Sequence, residues 1–352
     1  MKAIELFSGI GGFRIACDQH GIETVFANDM NPLSCAVYRH NFGATALVEG
    51  DIRQLVDQIP AHDLLTAGFP CQAYSSAGLR AGTADEKGRG TLFQVIAETL
   101  TRHKPKMFLL ENVPNLLRLD KGIHFQAVLQ ALHEAGPYEI EWRVINACQV
   151  GLAQSRNRVL IAGHLDRRPG LGEPNGTPKD PVSLDQWKGS FPYWGRLDRG
   201  GLVTADRPIA LPSSGKRVRD VLEYLPEGNR YDMTETTLPR LAQSKHVNRI
   251  ASGIQILYNQ KGGARQGYSI YGTEGLSPTL TSSTGKHYER YGIGDRFRLL
   301  TPDEYARLQG FPDGHCDWIA EGTPTPHRLR YVMYGNAVPP PIANYGLECL
   351  LK

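Results

Sequence analysis

Over its first 165 residues the chain repeats one rhythm: a short apolar run, a turn, then an amphipathic stretch. KAIELF (2–7), ETVFAN (23–28), HDLLTAG (62–68), KMFLLEN (106–112) and RVLIAGHL (158–165) have the length of buried strands. Between them, residues 32–41, 92–103 and 124–135 carry apolar positions at helical spacing, with Leu92, Val95, Ile96 and Leu100 on one face. Strands alternating with helices bury their faces only in a layered α/β arrangement. The expected fold class is therefore α/β, a doubly wound and mostly parallel sheet.

The rhythm breaks at residue 166. From there to about 285 the chain is rich in Gly, Pro, Ser and Thr, with short polar strands such as SIYG and SPTLTS. We expect a smaller, irregular β-rich domain over 166–285. Residues 286–352 then return to the first domain (1–165) through a helix in TPDEYARLQGF and an amphipathic C-terminal helix. Charge follows the same division. Residues 230–300 hold ten Lys and Arg against five Asp and Glu, a surplus of five in a chain whose net charge is +3. A basic segment on an otherwise slightly acidic chain points to a polyanionic partner.

Two classes are disfavoured. No apolar run approaches the roughly 20 residues of a membrane helix, and MKAIELFSGIGG meets a charge and glycines too early for a signal peptide. The expectation is a cytoplasmic protein. The six cysteines (17, 35, 71, 148, 316, 349) form no CxxC pair or Cys/His cluster, so no metal is expected.

In an open parallel sheet ligands bind beyond the carboxyl ends of the strands, and the unusual residues fall there. After the first run comes Phe7-Ser8-Gly9-Ile10-Gly11-Gly12, a turn that lets backbone approach a ligand. It is not a dinucleotide fingerprint, because the third glycine position is Arg14. Asp29, closing the second run, can accept from ribose hydroxyls, and Asp51 can accept from an adenine amino group. After the third run stands Phe69-Pro70-Cys71, a thiol presented by a turn that a proline fixes. Glu111-Asn112-Val113 follows the fourth run, and Arg156 and Arg158 precede the fifth. Thiol, carboxyl and guanidinium thus converge beside a nucleoside pocket.

ELFSGIGGFR, GFPCQ, GRGTLF, ENV, QSRNR, RLLTPDEYARLQGFP and YGNAVPPP occur in the order and approximate spacing of the cytosine-C5 DNA methyltransferases. The chain resembles that family, of the bacterial modification type, over nearly its whole length apart from about 166–285. The resemblance implies a Rossmann-like, class I methyltransferase fold and S-adenosylmethionine as cofactor. It implies that Cys71 adds to C6 of a cytosine swung out of duplex DNA, that Glu111 contacts N3 and the exocyclic amine, and that Arg158 holds O2. Arg156 is an implied neighbour of this catalytic group. Phe7, Gly9, Ile10, Gly11, Gly12, Asp29, Met30, Asp51, Ile52, Pro70, Leu92, Asn336, Ala337 and Val338 are the implied cofactor residues. Met30 is aliphatic where many relatives carry an aromatic, and Ile52 offers a second adenine flank.

Residues 72–90, with Gly78, Gly82, Gly88 and Gly90, have the composition of a mobile lid, and Ser75 is placed near phosphates by the resemblance. The 166–285 segment stands where the family keeps its target-recognition domain. Gln260, Arg265 and Gln266 are its base-reading candidates, and Lys261 and Lys286 its phosphate candidates. A monomer is expected, because one such unit carries every required group, as is association with the nucleoid when bound to DNA; a cognate restriction endonuclease acting at the same site and solitary action are both left open by the sequence. An RNA (tRNA) cytosine-5 methyltransferase of the same family is the alternative. That branch has a Cys-Phe-Thr signature, and none follows here.

Overall fold

The computed structural model of the chain describes residues 1–70, 91–175, 177–205, 207–208, 213–223, 230–233, 245–259, 269–281 and 289–352. Cys71, the lid expected over 72–90 with Ser75, and Gln260, Lys261, Arg265, Gln266 and Lys286 lie outside the described residues.

Nine strands make the central sheet among the described residues. They are β1 (Lys2–Leu6), β2 (Glu23–Asp29), β3 (Leu47–Glu49), β4 (Leu64–Gly68), β5 (Met107–Asn112), β6 (Glu139–Asn146), β7 (Asn157–His164), β9 (Trp194–Asp198) and β10 (Gly201–Ala205). A separate ladder pairs β8 (Pro174–Asn175) with β11 (Arg207–Pro208). The sheet order is β10-β9-β6-β7-β5-β4-β1-β2-β3. The run from β3 to β5 is parallel throughout. Beyond β5 the sheet turns antiparallel, with β7 wedged between β5 and β6 and then β9 and β10 added. The sheet is thus mixed, and the parallel half is the doubly wound part.

Helices cover both faces: α1 (Gly12–Gln19), α2 (Pro32–Phe42), α3 (Thr91–His103), α4 (Ile123–Ala135), α5 (Pro302–Gln309), α6 (His327–Asn336) and α7 (Pro340–Leu351). Strand alternation sorts the core. Ile4, Leu6, Phe108 and Leu110 pack with Ile96 and Leu100 of α3 and Leu129 of α4. Ala3 and Leu109 face the other way, onto Phe13 and Ala16 of α1 and Ile342 and Leu347 of α7. Each such fully buried large side chain contributes about 1.5–3 kcal/mol. The C-terminal helix therefore shares a core with β1, β5 and α1. No helix among the described residues is long and apolar enough to cross a membrane.

The expected boundary at 165 does not divide the structure. β9 and β10, from within the 166–285 segment, extend the central sheet, because Ile140–Arg143 of β6 leaves an edge that β9 fills. The second sheet consists of β12 (Lys245–Ala251), β13 (Ile254–Asn259), β14 (Ser269–Tyr271), β15 (Arg290–Ile293) and β16 (Arg296–Leu299), in that order. It therefore runs past the expected limit at 285. The described part of SPTLTS, residues 277–281, does not add a strand to it; Ser277 instead bridges to Gln154. α5 starts as its sequence suggests. Thr301 caps it, with its hydroxyl accepting from the Glu304 amide while the Glu304 carboxylate accepts from the Thr301 amide.

Candidate active site

The carboxyl ends of β1, β2, β4 and β5 open into a cavity of about 520 Å³, within the range of small-molecule sites. Its wall begins at Phe7, which follows β1 in a left-handed conformation (φ 56°). The turn after it is fastened from several sides. The Gly9 amide donates to Oδ2 of Asp29 at 2.8 Å, and the Gly11 amide donates to the Ser8 carbonyl at 2.9 Å. The other oxygen of Asp29 accepts from the Asn31 amide at 2.8 Å, just ahead of α2. One carboxylate thereby joins the β1 turn to the β2 turn. Each of its oxygens can still accept another donor from a ligand. Burial pushes the Asp29 carboxyl up, and these backbone donors hold it down.

Further along the wall, Met30 is 63% exposed and Ile52 is buried. Asp51 faces the cavity between them in sequence, its Oδ1 accepting from Arg53 Nε at 2.9 Å. That guanidinium holds the Asp51 carboxyl below its ordinary range. Pro70, Leu92, Asn336, Ala337 and Val338 complete the expected wall. Gly11 and Gly12 do not line the cavity, which corrects their placement among ligand contacts. A Cβ on Gly12 would lie 2.1 Å from the Val338 carbonyl oxygen, so this glycine admits the C-terminal segment rather than a ligand. Sequence reasoning missed Leu329, Val332 and Met333 of α6, which also line the cavity. Their spacing of three and four residues is the helical-face signal that could have found them.

At the other end of the cavity stand Glu111 and Arg158. Arg158 Nε lies 2.7 Å from Glu111 Oε1, and the two side chains are 11% and 10% exposed. β7 reaches this point because it runs antiparallel beside β5, pairing Glu111 with Leu160. Burial raises the Glu111 carboxyl above its ordinary range, while Arg158 and then Arg156 pull it back. The next residue, Asn112, donates from Nδ2 to the Phe69 carbonyl at 2.9 Å. It so fixes the backbone two residues before Cys71.

Arg156 is not part of this wall. It is 1% exposed, and its guanidinium donates to the carbonyls of Leu280 (2.8 Å), Gly335 (2.9 Å) and Ala337 (3.2 Å). The catalytic place expected for it is replaced by a framing one, because its Nη1 and Nη2 donors are taken by backbone carbonyls. Gln154 completes the frame, its Oε1 accepting from the Leu280 amide at 2.9 Å. Leu280, which lies between β14 and β15 in the chain, is thus tied to the segment that leads into β7.

The residues present fit a nucleoside-bearing cofactor. Ser8 lines the cavity, and its buried hydroxyl has no hydrogen-bond partner among the described residues. Such an atom is normally satisfied by a ligand or water. Around a Cβ placed on Gly9 there is open space within 4 Å. Among the described residues no group of three or more His, Cys, Asp and Glu is placed to hold a metal ion.

A doubly wound sheet whose strand ends open into a cavity, with a buried Glu–Arg pair at the same edge, is the arrangement of an α/β enzyme. The profile of the C-5 cytosine-specific DNA methylase family matches residues 1–352, and the chain belongs to that family. It is a DNA cytosine methyltransferase. The chain is 32% identical over 351 residues to the Type II methyltransferase M.NlaX of Neisseria lactamica, covering 97% of this chain and 93% of the relative. To the Type II methyltransferase M.HhaI of Haemophilus parahaemolyticus it is 31% identical over 323 residues, 90% and 85% of the two chains. Its fold is similar to that of S. pombe Dnmt2 methyltransferase, with a TM-score of 0.67 at 19% identity over 100% and 98% of the chains.

Proposed function

We propose that the protein methylates C5 of a cytosine within a short recurring sequence of duplex DNA, using S-adenosylmethionine. The buried Glu111–Arg158 pair at the cavity edge carries this reading. S-adenosylmethionine, when bound, supplies the methyl group as a sulfonium electrophile. Asp29 would accept from its ribose and Asp51 from its adenine amine, with Met30 and Ile52 the residues that would hold the ring.

The Cys71 thiolate adds to C6 of the base, forming a C–S bond and making C5 enamine-like. Protonated Glu111 donates to N3 as charge develops on the ring, which burial of this carboxyl supports. Arg158 donates to O2 and to that charge. After C5 is methylated, its proton leaves and the thiolate is expelled, restoring the ring. A base inside a duplex cannot reach such an edge, so the target swings out of the helix. Ser75, Gln260, Lys261, Arg265, Gln266 and Lys286 contact the DNA in this reading. The Type II names of the relatives support a restriction-modification setting with an endonuclease of the same site. One chain holds every group the reaction requires, and a monomer is the working state.

Cys71→Ser tests the chemistry. The purified variant should retain duplex binding and transfer no methyl group from labelled S-adenosylmethionine. Transfer at the wild-type rate would remove Cys71 from the mechanism.

A further inference from the structure

We infer that His315 is a positioning residue for the cofactor loop, holding the Ile10 carbonyl so that the turn after β1 keeps its cofactor-ready shape. The inference rests on the reading of the cavity as the S-adenosylmethionine site. His315 lies far along the chain, in the turn that follows α5, and is 4% exposed. Its Nε2 lies 2.7 Å from the Ile10 carbonyl oxygen. A carbonyl oxygen only accepts, so Nε2 carries the proton and donates.

The imidazole is braced on its flanks. Phe311 and Phe42 lie with ring centroids 4.9 and 5.8 Å from it. Its own backbone carbonyl accepts from Asn41 Nδ2 at 2.9 Å. The ring therefore has a fixed position from which to hold Ile10, which lines the cavity. The neighbouring residue fastens a second part of the same wall. The Cys316 amide donates to the Tyr334 hydroxyl at 3.1 Å, immediately before the cavity-lining residues Gly335 to Val338. Residues 315 and 316 together join the β1 turn to the end of α6.

The Ile10 peptide needs this anchor because Gly9 and Gly11 flank it. Both have positive φ (55° and 88°), so the segment has wide conformational freedom once untied. The Gly9 amide is held by Asp29 and the Gly11 amide by Ser8. The Ile10 carbonyl and the Gly11 amide are the two ends of one peptide unit, so His315 and the Ser8 carbonyl hold that unit from opposite sides. Burial also keeps the imidazole below its ordinary range, so the neutral donor form persists at physiological pH.

The test is binding of S-adenosylhomocysteine by calorimetry to wild type, His315→Gln, His315→Met and Asn41→Ala, with melting temperatures and initial rates for each. Gln can donate from a similar position and should bind within about threefold of wild type, whereas Met, losing a buried hydrogen bond, should weaken binding roughly tenfold. For Met the KM for S-adenosylmethionine should rise with kcat and the KM for DNA unchanged. If His315→Met does not fold, Asn41→Ala decides, since it releases the turn without touching the ring and should also weaken binding. Wild-type affinity in His315→Met, or in Asn41→Ala when Met fails to fold, would overturn the inference. So would a fall in kcat alone. No binding by wild type itself would instead overturn the cofactor reading, and the inference with it.

Discussion

Arg158 holds Glu111 through a 2.7 Å contact between Nε and Oε1, with both side chains almost wholly withdrawn from solvent. A carboxyl group in that position has two competing influences. Burial favours its protonated form, and the guanidinium favours its charge. The carboxyl lies above its ordinary range, so burial outweighs the guanidinium, and that direction favours the protonated form that the proposed reaction needs.

Glu111→Gln keeps an acceptor for Arg158 but removes the acidic proton. Methyl transfer should fall by about a hundredfold or more. The stability change has the opposite sense. A carboxyl whose folded pKa is raised stabilises the fold most at pH below its unfolded pKa, and that contribution is lost as pH rises through the folded pKa. The Gln variant escapes the loss, so at neutral pH its urea midpoint should equal or exceed that of wild type. Rates and urea titrations at pH 5 and pH 8 check both halves.

Arg156 and Arg158 stand two residues apart yet should fail differently. Arg156→Leu leaves the carbonyls of Leu280, Gly335 and Ala337 without their buried donor, at about 1–3 kcal/mol for each group left unsatisfied. Its main effect should be a lower melting temperature. Arg158→Leu should reduce kcat while melting shifts less. Equal melting losses in the two variants would contradict the division between frame and site.

Gly12→Ala should destabilise the protein by about 1–3 kcal/mol, as overpacking of a tight contact does. The added Cβ would sit 2.1 Å from a backbone oxygen of Val338, which cannot turn aside as a side chain can. Chemical denaturation measures the loss. An unchanged midpoint would show that the C-terminal segment does not close on α1 in this way.

Asp29→Ala removes the acceptor shared by the Gly9 and Asn31 amides together with the proposed ribose contact. The KM for S-adenosylmethionine should rise tenfold or more, equivalent to about 1.4 kcal/mol or more. Steady-state kinetics at saturating DNA give the value.

The sequence was most readable where periodicity and chemistry coincide. β1, β2, β4, β5 and β7 were visible as apolar runs, and the residues at their ends mark the cavity. β6 was hidden because EIEWRVIN carries charges at core positions. Glu141 and Arg143 are nonetheless buried, one accepting from the Leu171 amide at 2.8 Å and the other donating to the Leu171 carbonyl at 2.9 Å. Such pairing is a tertiary fact that no local pattern announces. Missing β6 also concealed the antiparallel half of the sheet and the docking of β9. The place of Arg156 was unreadable for the same reason, since its three acceptors lie more than 120 residues away.

The most direct measurement of cytosine-C5 methylation of DNA is to incubate the purified protein with duplex DNA and S-adenosylmethionine, then map the product by bisulfite sequencing. Protected cytosines should be confined to one short recurring sequence, with none when Cys71 is replaced by serine. Unprotected DNA under conditions where the same preparation methylates RNA would contradict the proposed activity.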